Sequence, residues 1–404
     1  MINLSLNKKI IIFGFIFTFF SSFGQSFFLG LFNAPIRNEL DITHGQFGSI
    51  YAVATIFSSL LFIWVGKKID DFRLSNYSFF AIILLFLSTL FFSLINNIYL
   101  LAIGIFLMRF SGQGLMSHTS STAISRYFEK SRGKALSAIW FGLSTAEFIL
   151  PVLIIYFLTI YSWRSVWQGI SIMVILILPL IINFTIKKIN FESREDNLET
   201  KEKINIKSWK RNEVLRDYRF YIISSNMLAM PWIFTGMAVY QSFISDSKLW
   251  EAYTIPKAFM VYSIASVITL FSSGLLVDKF TSRKLIPFMN IPLLLAMIVL
   301  FYSKQEISAY FFLGLVGISN GFGNILGSST WAEIYGVKYI GSIKALTTAF
   351  MVFSTALGTA VFGILIDKGF TIENIAFICG SYIIASISLL MLFRKTLEPV
   401  KIVN

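Results

Sequence analysis

The stretch WVGKKIDDF, residues 64–72, ends a long apolar run with a glycine, three residues and an aspartate. SGLLVDKF, residues 273–280, repeats the pattern: Gly66 and Asp70 recur as Gly274 and Asp278, 208 residues further on. A second marker keeps nearly the same interval. RGKAL at 132–136 and GSIKAL at 341–346 both open an apolar run, with Lys134 matched by Lys344, 210 residues on. Two markers at an interval of about half the chain indicate parallel repeats related by an axis along a membrane normal.

Composition identifies the solvent. Of the 404 residues 56% are hydrophobic and 14% charged, with 43 Phe, so most of the chain belongs in a bilayer. An α-helix needs roughly 20 apolar residues to cross about 30 Å of hydrocarbon. Twelve such runs are expected, at 10–33, 45–66, 77–96, 98–125, 135–160 and 164–186, then at 218–244, 253–277, 285–303, 306–332, 343–366 and 373–393. The fold class is therefore all-α, with twelve membrane helices in two groups of six.

Lys and Arg set the orientation. With both termini cytoplasmic, 27 of the 34 fall in inner segments, among them ten between Lys187 and Arg219. The net charge of +13 thus reflects topology and gives no support to nucleic-acid binding. The polar segment 187–217 is the expected seam between a first bundle, 1–186, and a second, 218–404. It reads as a solvated tether that is part surface helix, with Trp209 at the membrane interface. The first span is expected to be retained, being too long for a signal-peptide core and lacking a small-residue cleavage site. A single cysteine, Cys379, excludes an intramolecular disulfide; no metal cluster or cofactor is implied.

With twelve spans, a basic central segment and the repeated loop pattern, the whole chain resembles the major facilitator superfamily of secondary transporters, in its bacterial form. That loop signature is Gly-x-x-x-Asp followed by basic residues, here Lys279, Arg283 and Lys284 in the second copy; the first copy departs at Asp71 and Arg73. RFSGQG, 109–114, is similar to the family's fourth-helix signature with its glycines one residue early, and 331–346 is similar to the loop between helices 10 and 11. The resemblance implies two six-helix bundles, alternating access and a central cavity lined by helices 1, 4, 7 and 10. Mechanically, Gly66 and Gly274 allow close helix approach, while Asp70 with Arg126, and Asp278 with Arg283 and Glu333, would latch the halves as a gate. The alternative is that these are plain charges ending helices at the interface.

Two charged residues, Arg109 and Glu147, lie deep inside spans. Arg109 is 11 residues from the outer end of the fourth run and Glu147 is 13 from that of the fifth, both roughly 17 to 20 Å deep at 1.5 Å per residue. Burying either alone costs about 2.5 to 3.5 kcal/mol on insertion scales, so each needs a partner or a wet cavity. Either Arg109 holds a substrate anion while Glu147 carries a proton, or the two form a permanent pair. Arg109, Gln113, Met116 and Ser120 follow helical spacing down one face. The other substrate-binding candidates, on the helices that the resemblance places at the cavity, are Gln25, Asn226, Tyr240, Gln241, Asn320, Asn324 and Trp331, accompanied by Ser21 and Trp232. Each amide reads equally as glue between packed helices. His118 lies off the Arg109 face and reads as structural; Trp163 and Arg164 read as an interface anchor.

No Gly-x-x-x-x-Gly-Lys-Ser/Thr loop, His-Glu-x-x-His or Gly-x-Ser-x-Gly motif occurs, so ATP-driven pumping and membrane hydrolysis have no visible machinery. Pro151 lacks the glycines of drug–proton antiporters. The expectation is a non-enzymatic, monomeric, inner-membrane transporter whose partners are a small solute, protons and the bilayer. Arg109, with its planar fork, points to an organic anion such as a carboxylate carried by proton symport. The alternatives are an exporter of drugs or other cationic or neutral solutes, and a transporter-like receptor.

Overall fold

The structure, a computed structural model, describes residues 6–128, 132–186, 208–336 and 338–399. Among these residues twelve helices are long and apolar enough to cross a membrane: α1 Leu6–Gly30, α2 His44–Asp70, α3 Leu74–Ser93, α4 Ile98–Tyr127, α5 Gly133–Ile160, α6 Trp163–Thr185, α7 Tyr218–Val239, α8 Thr254–Phe280, α9 Ser282–Tyr302, α10 Ile307–Tyr335, α11 Ile340–Asp367 and α12 Ile372–Leu392. No strand occurs among the described residues. Hydrocarbon offers no partner for backbone polar groups, so each span must satisfy its own as a helix.

Polar residues start the helices where orphan N–H groups need acceptors. Thr43 and Gln46 form a reciprocal capping box at α2, with bonds of 3.2 and 2.9 Å. Asn97 opens α4 by accepting from the N–H groups of Tyr99 and Leu100 at 3.0 and 2.9 Å. The run expected to reach residue 244 ends earlier, because α7 stops at Val239 and a separate polar helix, Gln241–Lys248, comes after it.

Three spans are irregular. In α1 a tight turn at Ser22–Gly24 is followed by Gln25 in an extended conformation (φ −83°, ψ 153°), which breaks the helix at mid-span. In α7 the helix ends at Met227 and restarts at Ala229. In α4 residues Arg109–Met116 form a widened, π-helical segment, a distortion found at functional sites more often than chance allows.

The described residues divide into two compact units, one within residues 1–195 together with Ala238–Ser242, the other within residues 196–237 and 243–404. The repeat reappears in how each unit packs. In the first, a Cβ on Gly142 of α5 would strike the Phe15 carbonyl oxygen of α1; in the second, a Cβ on Gly358 of α11 would strike the Trp232 carbonyl oxygen of α7. The two contacts are related by offsets of 216 and 217 residues. Small residues at such crossings let backbones touch where lipid gives no hydrophobic drive to association.

Part of the central segment departs from the expected tether. Residues 187–207 lie outside the described residues, but the end of the segment is core of the second unit. Val214 is fully buried, the Trp209 N–H donates to the Tyr335 carbonyl at 3.0 Å, and the Arg219 guanidinium lies 5.1 Å from the Trp209 ring centre. Buried Asp217 pairs with Arg219 at 2.7 Å. Trp163 likewise is more than an interface anchor: its indole donates to Glu39 at 2.6 Å, and Arg164 bonds both Glu39 and the Ile95 carbonyl, tying α6 to the segments that leave α1 and α3.

The glycine crossings give a direct expectation. Gly142→Ala and Gly358→Ala each destabilise the protein by about 1–3 kcal/mol, the usual cost of overpacking. Gly169→Ala, where an added Cβ meets nothing within 4 Å, does not. Thermal unfolding of the three variants in detergent, monitored by size-exclusion fluorescence, reads the difference.

Candidate functional site

The break in α1 is held by a neighbour. Gly24 and Gly112 bring α1 and α4 into backbone contact, and a Cβ on Gly24 would meet the Met108 carbonyl and the Gln113 N–H. This approach places Arg109 beside carbonyls freed by the break. Its Nη1 donates to Gly24 O at 3.1 Å and to Ser26 Oγ at 3.4 Å. Tyr51 of α2 completes the setting: the Arg109 Cζ lies 5.4 Å from its ring centre, and its hydroxyl donates to Ser26 Oγ at 3.1 Å.

Arg109 is only 3% exposed. Both of its hydrogen bonds leave from Nη1, Nε has no acceptor, and no carboxylate pairs with it among the described residues. A cation held this way lacks the countercharge that usually offsets its desolvation. The edge of the fork formed by Nε and Nη2 is the edge that takes two oxygens of a carboxylate or phosphate side by side.

Glu147 of α5 is 8% exposed and has no hydrogen bond or ion pair among the described residues. It does not pair with Arg109, so the permanent ion pair considered from the sequence is not formed. Gln25, at the extended residue of the α1 break, and Gln113, in the π-helical segment, are half-buried; neither amide has a partner among the described residues. Gly24 brings Arg109, Gln113 and Gln25 together. The rest of the expected α4 stripe drifts off, because the widened turn rotates the residues beyond it. Met116 is fully buried, and Ser120 donates to the Gly14 carbonyl of α1 at 2.8 Å.

The remaining amides divide by partner. Asn226 is fully buried beside the α7 break, donating to Ser386 Oγ at 3.2 Å and accepting from Asn290 on its carbonyl at 2.6 Å, so it joins α7, α9 and α12. Asn320 donates to Ser266 Oγ of α8 at 2.9 Å. Trp331 lies in an apolar cluster with Phe220 and Tyr335. Tyr240 and Gln241 come just after α7 and pack in the first unit, where Tyr240 donates to His44 O at 2.9 Å and Gln241 to Phe27 O at 2.9 Å. Asn324 is exposed, without a partner among the described residues.

At the α2–α3 and α8–α9 loops the signatures differ between units. In the first, Arg126 of α4 pairs with Asp70 and donates to Ile69 O at 3.3 Å. The same helix supplies His118, whose Nε2 bonds Gly66 O at 3.1 Å. In the second unit Asp278 is exposed and takes no part; Glu333 of α10 pairs with Arg283 at 3.1 Å and accepts from the Ser282 N–H and hydroxyl at 3.0 and 2.6 Å. Gly274 meets no close neighbour. The link between loop and helix therefore recurs with its charges exchanged: acid on the loop in one unit, acid on the helix in the other.

Sequence reasoning missed Tyr51 and Ser26. A hydroxyl in an apolar run reads as packing, and nothing in the sequence announces the α1 break that brings them to Arg109.

A family model described as Major Facilitator Superfamily matches residues 14–344. No curated protein matches the sequence significantly. Among solved structures, the nucleoside transporter NupG aligns with a TM-score of 0.73 at 13% identity over 97% of this chain and 100% of its own. A bacterial homologue of the human lysosomal transporter Spinster, in an inward-facing and unoccupied conformation, aligns with a TM-score of 0.71 at 14% identity over 97% and 96%. At these identities the likeness is one of fold.

The Asp70–Arg126 and Arg283–Glu333 pairs each lie within one unit, so neither is the latch between halves expected from the sequence; the first instead fastens the α2–α3 loop to α4, and a gating role for that fastening has a measurable consequence. Exposed pairs contribute about 0–1 kcal/mol to stability, so Arg126→Glu leaves the amount of folded protein near normal but slows solute uptake by repulsion. Adding Asp70→Arg restores the attraction and recovers uptake. A double variant as slow as the single one would mark the charges as mere helix ends.

Proposed function

We propose that this chain, which belongs to the major facilitator superfamily, is a secondary active transporter that carries a small organic anion, a carboxylate first of all, with a proton. The twelve helices make it a multi-pass membrane protein. Lys and Arg counts favour cytoplasmic termini, and the proposed location is the inner membrane. The observation that carries the substrate reading is the buried Arg109 guanidinium, held at Nη1 and beside Tyr51, with no acceptor on Nε and no carboxylate partner among the described residues. Gln25 and Gln113, whose side-chain amides have no partner among the described residues, flank the same α1–α4 contact at Gly24 and would bind the rest of the solute.

Glu147 is the candidate proton carrier. It is a buried carboxyl without a partner among the described residues, on a helix packed against α1, and it is able to take and release one proton. Anion and proton moving together leave less net charge to cross the hydrocarbon than either alone. Alternating access would follow from rocking of the two repeats, as in transporters built from parallel halves, with Asp70, Arg126, Arg283 and Glu333 as gate residues. The protein would act as a monomer.

A second reading, a neutral polar solute, rests on the unpartnered amides of Gln25 and Gln113 and on a nucleoside transporter sharing the fold. The two separate in proteoliposomes. Under the anion reading Arg109→Lys, which keeps the charge but loses the fork, weakens uptake about ten-fold or more. Glu147→Gln, fixed in a neutral form, abolishes uptake driven by a pH gradient while sparing exchange of internal for external substrate. A neutral solute would leave Arg109→Lys close to wild type, and undiminished proton drive in Glu147→Gln would place the coupling elsewhere.

A further inference from the structure

We infer that Tyr51 is a positioning residue for Arg109. Through Ser26 it parks one guanidinium nitrogen on the broken first helix, so that the opposite edge of the fork faces ligands with two coplanar oxygens. The inference rests on the reading of Arg109 as the anion-binding group and adds to it a source of specificity.

The guanidinium of an arginine has two edges able to take an acceptor pair, Nη1 with Nη2 and Nε with Nη2, because Cδ blocks the third, and a free side chain offers either. Here the choice is made by the protein. Tyr51 is 1% exposed and its ring fills the space beside the guanidinium, with 5.4 Å between ring centre and Cζ. Its hydroxyl donates to Ser26 Oγ at 3.1 Å, leaving that oxygen oriented to accept from Arg109 Nη1 at 3.4 Å, next to the stronger bond from Nη1 to Gly24 O at 3.1 Å. With Nη1 taken twice, Nε and Nη2 form the remaining bidentate edge, and Nε is a buried donor without an acceptor. A carboxylate presents two coplanar oxygens that match this edge and has none left over, whereas a tetrahedral oxyanion bound through two oxygens must also find donors and room for the others.

The arrangement acts as a chain, from Tyr51 to Ser26 to Arg109, so its members are not independent. Removing either hydroxyl leaves Nη1 held by the Gly24 carbonyl alone, a looser tether, and removing both adds little. A role confined to packing would behave differently: the loss would appear in protein stability or in the maximal rate for every solute, and two substitutions would add.

The test is counterflow in proteoliposomes with labelled succinate, gluconate and phthalate, and with inorganic phosphate, comparing wild type, Tyr51→Phe, Ser26→Ala, their double variant and Arg109→Ala. Tyr51→Phe keeps the ring and loses only the hydroxyl. It is expected to raise the KM of the best carboxylate about ten-fold, the worth of roughly one hydrogen bond to a charged group, with maximal rate within about two-fold of wild type. Preference for that carboxylate over phosphate narrows to match. Ser26→Ala and the double variant reach the same KM as Tyr51→Phe. If Arg109→Ala loses counterflow while Tyr51→Phe keeps wild-type KM and preference, or if the single effects add, positioning by Tyr51 is wrong and the anion reading stands. If Arg109→Ala behaves as wild type, or no panel member is carried, the anion reading falls and this inference with it.

Discussion

A guanidinium placed in the middle of a membrane protein must be satisfied by something, and in this chain the answer organises the first unit. Arg109 finds carbonyls that a regular helix would not offer, because α1 is broken at Ser22–Gly24. The break in turn would leave backbone oxygens without donors in a place water does not reach, and Arg109 supplies one. Each irregularity answers the other. The glycines at 24 and 112 contribute through the absence of a Cβ: any side chain there would push α1 and α4 apart and separate the cation from the break.

The satisfaction of that charge is incomplete. Hydrogen bonds to a carbonyl and a hydroxyl, together with an aromatic face, solvate part of a charge but do not neutralise it. The protein thus keeps a site whose electrostatics improve when an anion arrives, while Glu147 remains buried and unpaired rather than cancelling Arg109. In the second unit the buried polar groups at the α7 break are neutral and bond one another: Asn290 donates to Asn226, and Asn226 donates to Ser386. The two repeats share the glycine crossing, and among the described residues the buried cation without a carboxylate partner is in the first.

Much of the fold was legible because bilayer thickness is a severe constraint. Twelve apolar runs of the right length can hardly be anything but twelve helices, and Gly66 with Asp70 marked the end of α2 to within a residue of where it lies. Arg109 and Glu147 were legible for the same reason, as charges where charges are costly. Asn226 illustrates the limit: an amide that glues helices and an amide that binds a solute have one sequence signature, and only its bonds to Ser386 and Asn290 tell them apart. Asp278 is expected to latch with Arg283 and Glu333, yet Glu333, two spans further along the chain, pairs with Arg283 without it, since a charge pair keeps its attraction when its members trade places. Tyr51 could not be found, because what makes it matter is the α1 break, and SSFGQS contains no proline to announce a break.

The central claim is that a charge, not merely a polar surface, recognises the solute beside the α1 break. The most direct measurement is competition in proteoliposome counterflow between a carboxylate and its own carboxamide, molecules of nearly equal size and shape that differ in charge. The account predicts that succinate, or whichever carboxylate is carried best, is displaced by other carboxylates and not by its diamide at the same concentration. Equal displacement by the amide would contradict it and leave Arg109 as a support for the broken helix alone.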